Sequence, residues 1–184
     1  MKRLLDVVLA LVALVLLSPV LLAAAAAVAA ETGRPVLFRQ QRVGQGGRTF
    51  GMFKFRSMVK DAAAIGPFFT SGNDPRITRV GRVLRRTSID ELPQLFNVLR
   101  GDMSLVGPRP DLPVQAGDYR PEDWALRCTV RPGLTGLAQA TLRSQATPEQ
   151  RLAADLAYVR RPTLAADLRI LLLTVRRLGG AGAN

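Results

Sequence analysis

Two carboxylates stand side by side at Asp90-Glu91, directly after a run holding Arg76, Arg79, Arg82, Arg85 and Arg86. A carboxylate can act as a covalent nucleophile or as a general acid or base. The residue types that are missing narrow the chemistry further: the 184 residues include no His and one Cys, Cys128. That excludes Ser-His-Asp and Cys-His nucleophile systems, disulfide frameworks and Cys-based zinc or iron–sulfur sites, and leaves acid/base work to Asp, Glu, Lys or Tyr. A metal would have to sit on oxygen ligands, which favours Mg²⁺ over zinc.

A purely local reading competes with catalysis. Ser88-x-x-Glu91 has the form of a helix-capping box, and acids in a first turn suit the helix dipole. Pro93 weakens it, because a helix begun at Ser88 would lose the Pro93 donor. On pattern alone the two readings stand level. Ile77, Val80 and Leu84 recur at helical spacing, which puts the arginines on the remaining faces with no acid among them. That arrangement favours contact with phosphates or head groups over a solvated face. Gly107-Pro108-Arg109-Pro110 is a rigid loop displaying one arginine, and Arg131-Pro132-Gly133 is similar, although both also read as plain turns. Glu122-Asp123, after Pro121, is an ordinary helix start.

These groups must be held by a chain of about one domain's length with a net charge of +12, which points to an anionic partner: nucleic acid, lipid head groups or a phosphorylated substrate. An aromatic content of 5% argues against a single-strand stacking platform. Residues 7–30 form an uncharged, apolar run behind Met1-Lys2-Arg3. A cleaved signal peptide fits poorly, since the run is too long and Asp6 precedes it. A simple span fits poorly as well. Arg34, Arg39, Arg42, Arg48, Lys54, Arg56 and Lys60 follow it against Glu31 alone, so both flanks read as cytoplasmic. A re-entrant hairpin broken at Ser18-Pro19 satisfies both flanks: Pro19 clashes with the Val15 carbonyl and Ser18 can bond back to a freed carbonyl. A kinked spanning helix remains the competing reading.

Further along, Val36-Leu37-Phe38 and Thr49 to Phe55 read as strands around a Gly44-Gln45-Gly46-Gly47 turn, with too few glycines for a dinucleotide cradle. Thr70 to Pro75 reads as loop, with Asp74-Pro75 able to open a helix. Leu92, Leu95, Phe96 and Leu99 make a helical stripe ended by Gly101. Leu164, Leu168, Leu171, Leu172, Val175 and Leu178 line one face of a C-terminal helix that docks on the core or lies on the membrane, its cationic ends favouring the membrane.

The stretch from Asp74 to Pro110, DPRITRVGRVLRRTSIDELPQLFNVLRGDMSLVGPRP, resembles the core signature of the bacterial sugar transferases, the small monotopic phosphoglycosyl transferases. Lys54-Phe55-Arg56-Ser57-Met58, Val130-Arg131-Pro132-Gly133-Leu134-Thr135-Gly136, Asp155-xx-Tyr158-Val159, Arg3-xx-Asp6 and Ser18-Pro19 are similar to its other motifs, in order. The resemblance implies a helix-dominated α+β enzyme. Residues 1–30 would be a re-entrant membrane helix; residues 31–184 would be a catalytic domain with a short β-hairpin and interfacial amphipathic helices. It implies a place at the bacterial inner membrane facing the cytoplasm, contact with membrane lipids, and no nucleic-acid partner; a homodimer is compatible with it. The implied reaction moves a phosphosugar from a UDP-sugar to a polyprenol phosphate such as undecaprenyl phosphate, releasing UMP, with Mg²⁺, early in the building of a glycoconjugate.

By the same resemblance Asp90 would be the nucleophile, and Glu91 would serve the metal or the incoming lipid phosphate, with both counted as metal ligands. Arg85 and Arg109 are the leading candidates for stabilising the transferring phosphoryl group. Lys54, Arg56, Arg131, Gln139 and Asp155 follow as substrate-binding candidates for which framework roles also serve. The family commonly has Gly-Trp-Ala-Gln followed by Asn-Gly-Arg or Arg-Gly-Arg; here Gly136-Leu137-Ala138-Gln139 is followed by Ala140-Thr141-Leu142-Arg143. That departure leaves the sugar open and the Asp-Glu pair intact. The alternative from another class is a membrane-anchored, non-catalytic binder of nucleic acid or anionic polysaccharide.

Overall fold

The computed structural model describes residues 1–66, 74–142 and 146–179. The loop expected over 70–75 falls mostly outside them, as do Arg143 and the side chain of Leu178.

The apolar run is broken where proline chemistry requires it. Helices α1 (Lys2–Leu16) and α2 (Ser18–Thr32) meet at a 63° bend, and the Ser18 hydroxyl donates to the Val15 carbonyl at 2.8 Å. Pro19 falls in the first turn of α2, where a missing N–H leaves nothing unpaired. Neither helix is long and apolar enough to cross a membrane alone; among the described residues only the bent pair passes that test. The next elements are an antiparallel hairpin of β1 (Leu37–Val43) and β2 (Thr49–Phe55), a short α3 (Ala62–Ile65), α4 (Arg79–Arg86) and α5 (Gln94–Arg100). The rest comprises β3 (Ser104–Val106), α6 (Pro121–Arg127), β4 (Gly133–Thr135), α7 (Leu137–Thr141), α8 (Pro148–Arg160) and α9 (Leu164–Gly179). β3 and β4 pair in parallel. The architecture is α+β and helix-dominated, as expected.

One side of α1 belongs to the main core: Ala10 is fully buried, and Leu9, Ala13 and Leu14 pack around Leu95, Val98, Leu105, Tyr158 and Ile170. Its polar residues fix that docking. Arg3 donates to the Val98 and Leu99 carbonyls at 2.5 and 2.9 Å, buried Asp6 accepts from the Ser104 hydroxyl and the Leu105 amide, and Lys2 meets Asp167 at 2.6 Å. The other side leaves Leu4, Leu11, Val12, Val15 and Leu16 exposed. α2 packs through Ala24 and Val28 against Phe55 and Leu84 in a second cluster.

Several local expectations are corrected. The helix of the arginine run opens at Arg79, because the Thr78 side chain accepts the Gly81 amide at 2.9 Å; Asp74 instead grips the Arg76 guanidinium at 2.6 Å. Arg76 is therefore buried framework, not a free anion contact. Ser88 makes no capping bond: it sits at φ 58° and leads into a single 3₁₀ turn, Ile89–Glu91. Helix resumes only after Pro93, so α5 buries Gln94, Leu95, Asn97 and Val98 and leaves Phe96 exposed. The C-terminal helix α9 does both things its stripe allowed: Asp167, Ile170 and Leu171 pack on the core, while Leu168, Leu172 and Val175 stay exposed. The readings that stand are the Gly44–Gly47 turn between the strands, the helix stop at Gly101 (φ 92°) and the helix start at Glu122-Asp123. Arg120, just before that helix, pairs with Glu122.

Candidate active site

The 3₁₀ turn between α4 and α5 delivers Asp90 and Glu91 to the wall of a cavity of about 900 Å³. The β-hairpin supplies Phe38, Gln40, Arg42 and Lys54 to that cavity, the end of α4 supplies Arg85, and the loop after β3 supplies Arg109. Strand register explains the hairpin's share. Phe38 pairs with Lys54, Gln40 with Met52 and Arg42 with Phe50, so all six point to one face.

The two carboxylates have opposite surroundings. Glu91 is clamped: Lys54 Nζ lies 2.8 Å from its Oε1, and Arg109 reaches both oxygens, at 2.5 Å and 3.3 Å. Burial alone would raise its pKa, but Arg109 and Lys54 hold it down to about 2. Burial in turn lowers the pKa of Lys54, against the pull of Glu91. Asp90 is 7% exposed, and its carboxylate accepts no hydrogen bond among the described residues. Burial first, then the Glu91 charge, push it up to about 6 against the pull of Lys54, Arg85 and Arg109. One acid is thus locked as a permanent anion, while its neighbour is open, buried and ionised at neutral pH.

The cations around Asp90 are held from behind. Arg85 Nε donates to Ser57 Oγ at 2.9 Å, and its Nη groups make no hydrogen bond among the described residues. Gly81 makes this approach feasible, since a Cβ there would fall 2.0 Å from the Ser57 carbonyl oxygen. The Arg109 side chain is 49% exposed, but its loop is pinned. Arg127 Nη2 donates to the Arg109 carbonyl at 2.6 Å, and Arg42 Nη1 to the Pro110 carbonyl at 3.1 Å. Arg127 is itself buried between Asp111, at 2.5 Å, and Asp155, at 2.9 Å.

Asp90, Glu91, Arg85, Arg109, Lys54 and Arg56 all line the cavity. Arg56, however, spends Nη1 on the Thr32 and Gly33 carbonyls at the end of α2. Arg131, Gln139 and Asp155 do not line it. Arg131 Nε donates to the Gly101 carbonyl at 2.9 Å, and Asp155 holds Arg127. Both amide atoms of the Gln139 side chain are buried without a partner among the described residues. Sequence reasoning passed over Ser57, Gln40, Arg42 and Arg127. The period-2 alternation of β1 would have put Gln40 and Arg42 on the face of Phe38; nothing local marks Arg127.

No group of three or more metal-ligating side chains occurs among the described residues. Two adjacent carboxylates, one of them unpartnered, nevertheless fit a cation that takes one or two protein carboxylates and completes its shell with phosphate oxygens and water, as Mg²⁺ does.

A family model described as bacterial sugar transferase matches residues 1–180. A UDP-glucose:undecaprenyl-phosphate glucose-1-phosphate transferase of Caulobacter vibrioides is 48% identical over 96% of this chain and 69% of its own length. An enzyme of the same description from Escherichia coli is 45% identical over 95% of this chain and 39% of its own. A UDP-N-acetylgalactosamine-undecaprenyl-phosphate N-acetylgalactosaminephosphotransferase of Aeromonas hydrophila is 41% identical over 100% of this chain and 45% of its own. The chain therefore spans less than half the length of the last two.

Proposed function

The chain belongs to the bacterial sugar transferase family, and from that membership and the cavity chemistry we propose that it transfers a phosphosugar from a UDP-sugar to a polyprenol phosphate, releasing UMP. The observation that carries the reading is the contrast between the open, buried Asp90 and the clamped Glu91. An Asp90 oxygen attacks the sugar-proximal phosphorus; the bond from that phosphorus to the bridging oxygen breaks, and UMP leaves with the electron pair. A phosphate oxygen of the polyprenol phosphate then attacks the same phosphorus, the Asp90–phosphorus bond breaks, and the carboxylate returns unchanged. The product is a polyprenyl diphosphosugar, the opening intermediate of a bacterial glycoconjugate.

Arg85, with its free Nη groups, and half-exposed Arg109 stabilise the charge on the transferring group from positions fixed beforehand. Glu91 holds Lys54 and Arg109 at the rim and keeps Asp90 basic. Asp90, with Glu91 adjacent, would hold a Mg²⁺ ion, which would supply neutralisation of the diphosphate charge. Family membership stands against the non-catalytic binder.

The test is UMP release by membrane-embedded protein given Mg²⁺, polyprenol phosphate and a panel of UDP-sugars that includes UDP-glucose and UDP-N-acetylgalactosamine. Release with at least one donor is expected; none with any donor overturns the proposal.

The bent α1–α2 pair serves as a re-entrant hairpin in the cytoplasmic leaflet of the inner membrane, with residues 31–184 on the cytoplasmic side. Two observations support this: the exposed apolar faces of α1 and α9, and the basic residues on both flanks. Labels at positions 2 and 34 are expected on the same side of the membrane, and opposite sides would refute the hairpin.

A further inference from the structure

Beside the charged wall of the cavity, the face of β1 carries a neutral device that the transfer chemistry leaves unassigned. Gln40 Oε1 accepts from Arg42 Nε at 3.2 Å and from Arg42 Nη2 at 2.8 Å. A guanidinium only donates, so the oxygen of the carboxamide must face Arg42 and the –NH2 must face away from it. Arg42 is itself tied to the Pro110 carbonyl, on the loop that carries Arg109. The Gln40 amide is therefore fixed in one orientation, and its two N–H groups make no hydrogen bond among the described residues. Two residues along the same face lies Phe38, 47% exposed and directly opposite Lys54.

We infer that Gln40, oriented by Arg42, donates a hydrogen bond to an oxygen of the glycosyl unit of the UDP-sugar, with the Phe38 ring beneath that unit. The inference rests on the function proposed above and deepens it. Lys54, Arg85 and Arg109 answer the charge of a diphosphate; a neutral amide donor beside an apolar ring suits a neutral ring that bears hydroxyls on its edge and C–H groups on its face. The geometry also fits the reaction, because the glycosyl unit is joined to the phosphorus that Asp90 attacks and must lie within one linkage of it. Lys54, bonded to Glu91, connects the hairpin face to the carboxylate pair. A preorganised donor loses little freedom when it binds, so its removal registers as affinity.

The test is calorimetric titration in the Asp90→Asn background, where turnover is blocked, with UDP-glucose, UDP-N-acetylgalactosamine and UMP. Gln40→Met keeps the length of the side chain and removes its donors. It is expected to weaken the UDP-sugar that binds best by about tenfold and to leave UMP unchanged. Singly deoxygenated forms of that sugar donor should include one whose affinity is the same with Gln40 and with Met. Gln40→Glu keeps a partner for Arg42 while losing the donors, and should discriminate the UDP-sugar from UMP in the same way, with an unchanged thermal midpoint. Equal loss for UMP and UDP-sugar, or no loss for either, overturns the inference. Failure of the function itself reads differently: wild-type protein would bind UDP-sugar with this discrimination yet release no UMP.

Discussion

Asp90→Asn is expected to reduce UMP release to background, a loss of roughly 10⁴-fold or more, as when a covalent nucleophile is removed. The substitution preserves shape, so any residual rate comes from binding and from the arginines alone. Wild-type protein incubated with its UDP-sugar and no acceptor should carry one phosphosugar adduct on the peptide containing Asp90, and the variant none. UMP release by the variant at anything near the wild-type rate would sink the covalent mechanism. The pH profile provides a second check. Asp90 must be ionised to attack and titrates near 6, so kcat/KM should rise through about pH 6 and level off above 7. The effect on stability runs the other way. The folded-state value of about 6 lies above the ordinary 3.8, so the stabilising contribution of this group is present below pH 3.8 and is lost as pH rises through 6. Asp90→Asn should therefore be more stable than wild type at pH 8, by about 1–3 kcal/mol, with the gain vanishing near pH 4. An inactive variant with a higher thermal midpoint is the signature of a charge held against its own solvation for the sake of reactivity.

What the sequence made legible were features whose physics is local. Pro19 had to break a helix and Ser18 had to bond back, and both do so. The glycine turn at 44–47 required a hairpin, and Asp90-Glu91 stood out by adjacency. The reading stays open where a distant partner decides. Ser88-x-x-Glu91 leaves capping and catalysis level on pattern, and what decides is that Glu91 is taken by Lys54 and Arg109, 37 and 18 residues away. The apolar stripe of α9 allows docking on the core or lying on the membrane, and it gives no sign of Asp167, the carboxylate through which the helix docks, made buriable by Lys2 and the Tyr158 hydroxyl. Hydrophobic periodicity does not count an acid as core. Asp155 is open to a substrate or a framework role from the sequence, and the partner that decides for framework, Arg127, is 28 residues away.

Arg127→Met is expected to destabilise the protein by about 3–5 kcal/mol, because it leaves charges buried without their counterion. Arg127 joins Asp111, Asp155 and the Arg109 carbonyl, and stacks over the Tyr119 ring at 5.6 Å. Burial already raises the Asp155 pKa, with Arg127 opposing it, and one Asp155 oxygen is buried with no partner among the described residues. Without Arg127 that pKa climbs further. The destabilisation should then be largest at alkaline pH and shrink as the pH falls and Asp155 takes up a proton. Denaturation of the variant at pH 8 and pH 5 checks the sign; a loss independent of pH would place the cost in packing instead. The triple substitution of Arg127→Met with Asp111→Asn and Asp155→Asn removes the orphaned charges and should recover most of the stability. It cannot restore the bond to the Arg109 carbonyl, so the loop that presents Arg109 stays loose and kcat should remain depressed in a folded protein. Recovery of kcat along with stability would mean that Arg109 holds its place without Arg127, through Glu91 and the Arg42 bond to Pro110 alone.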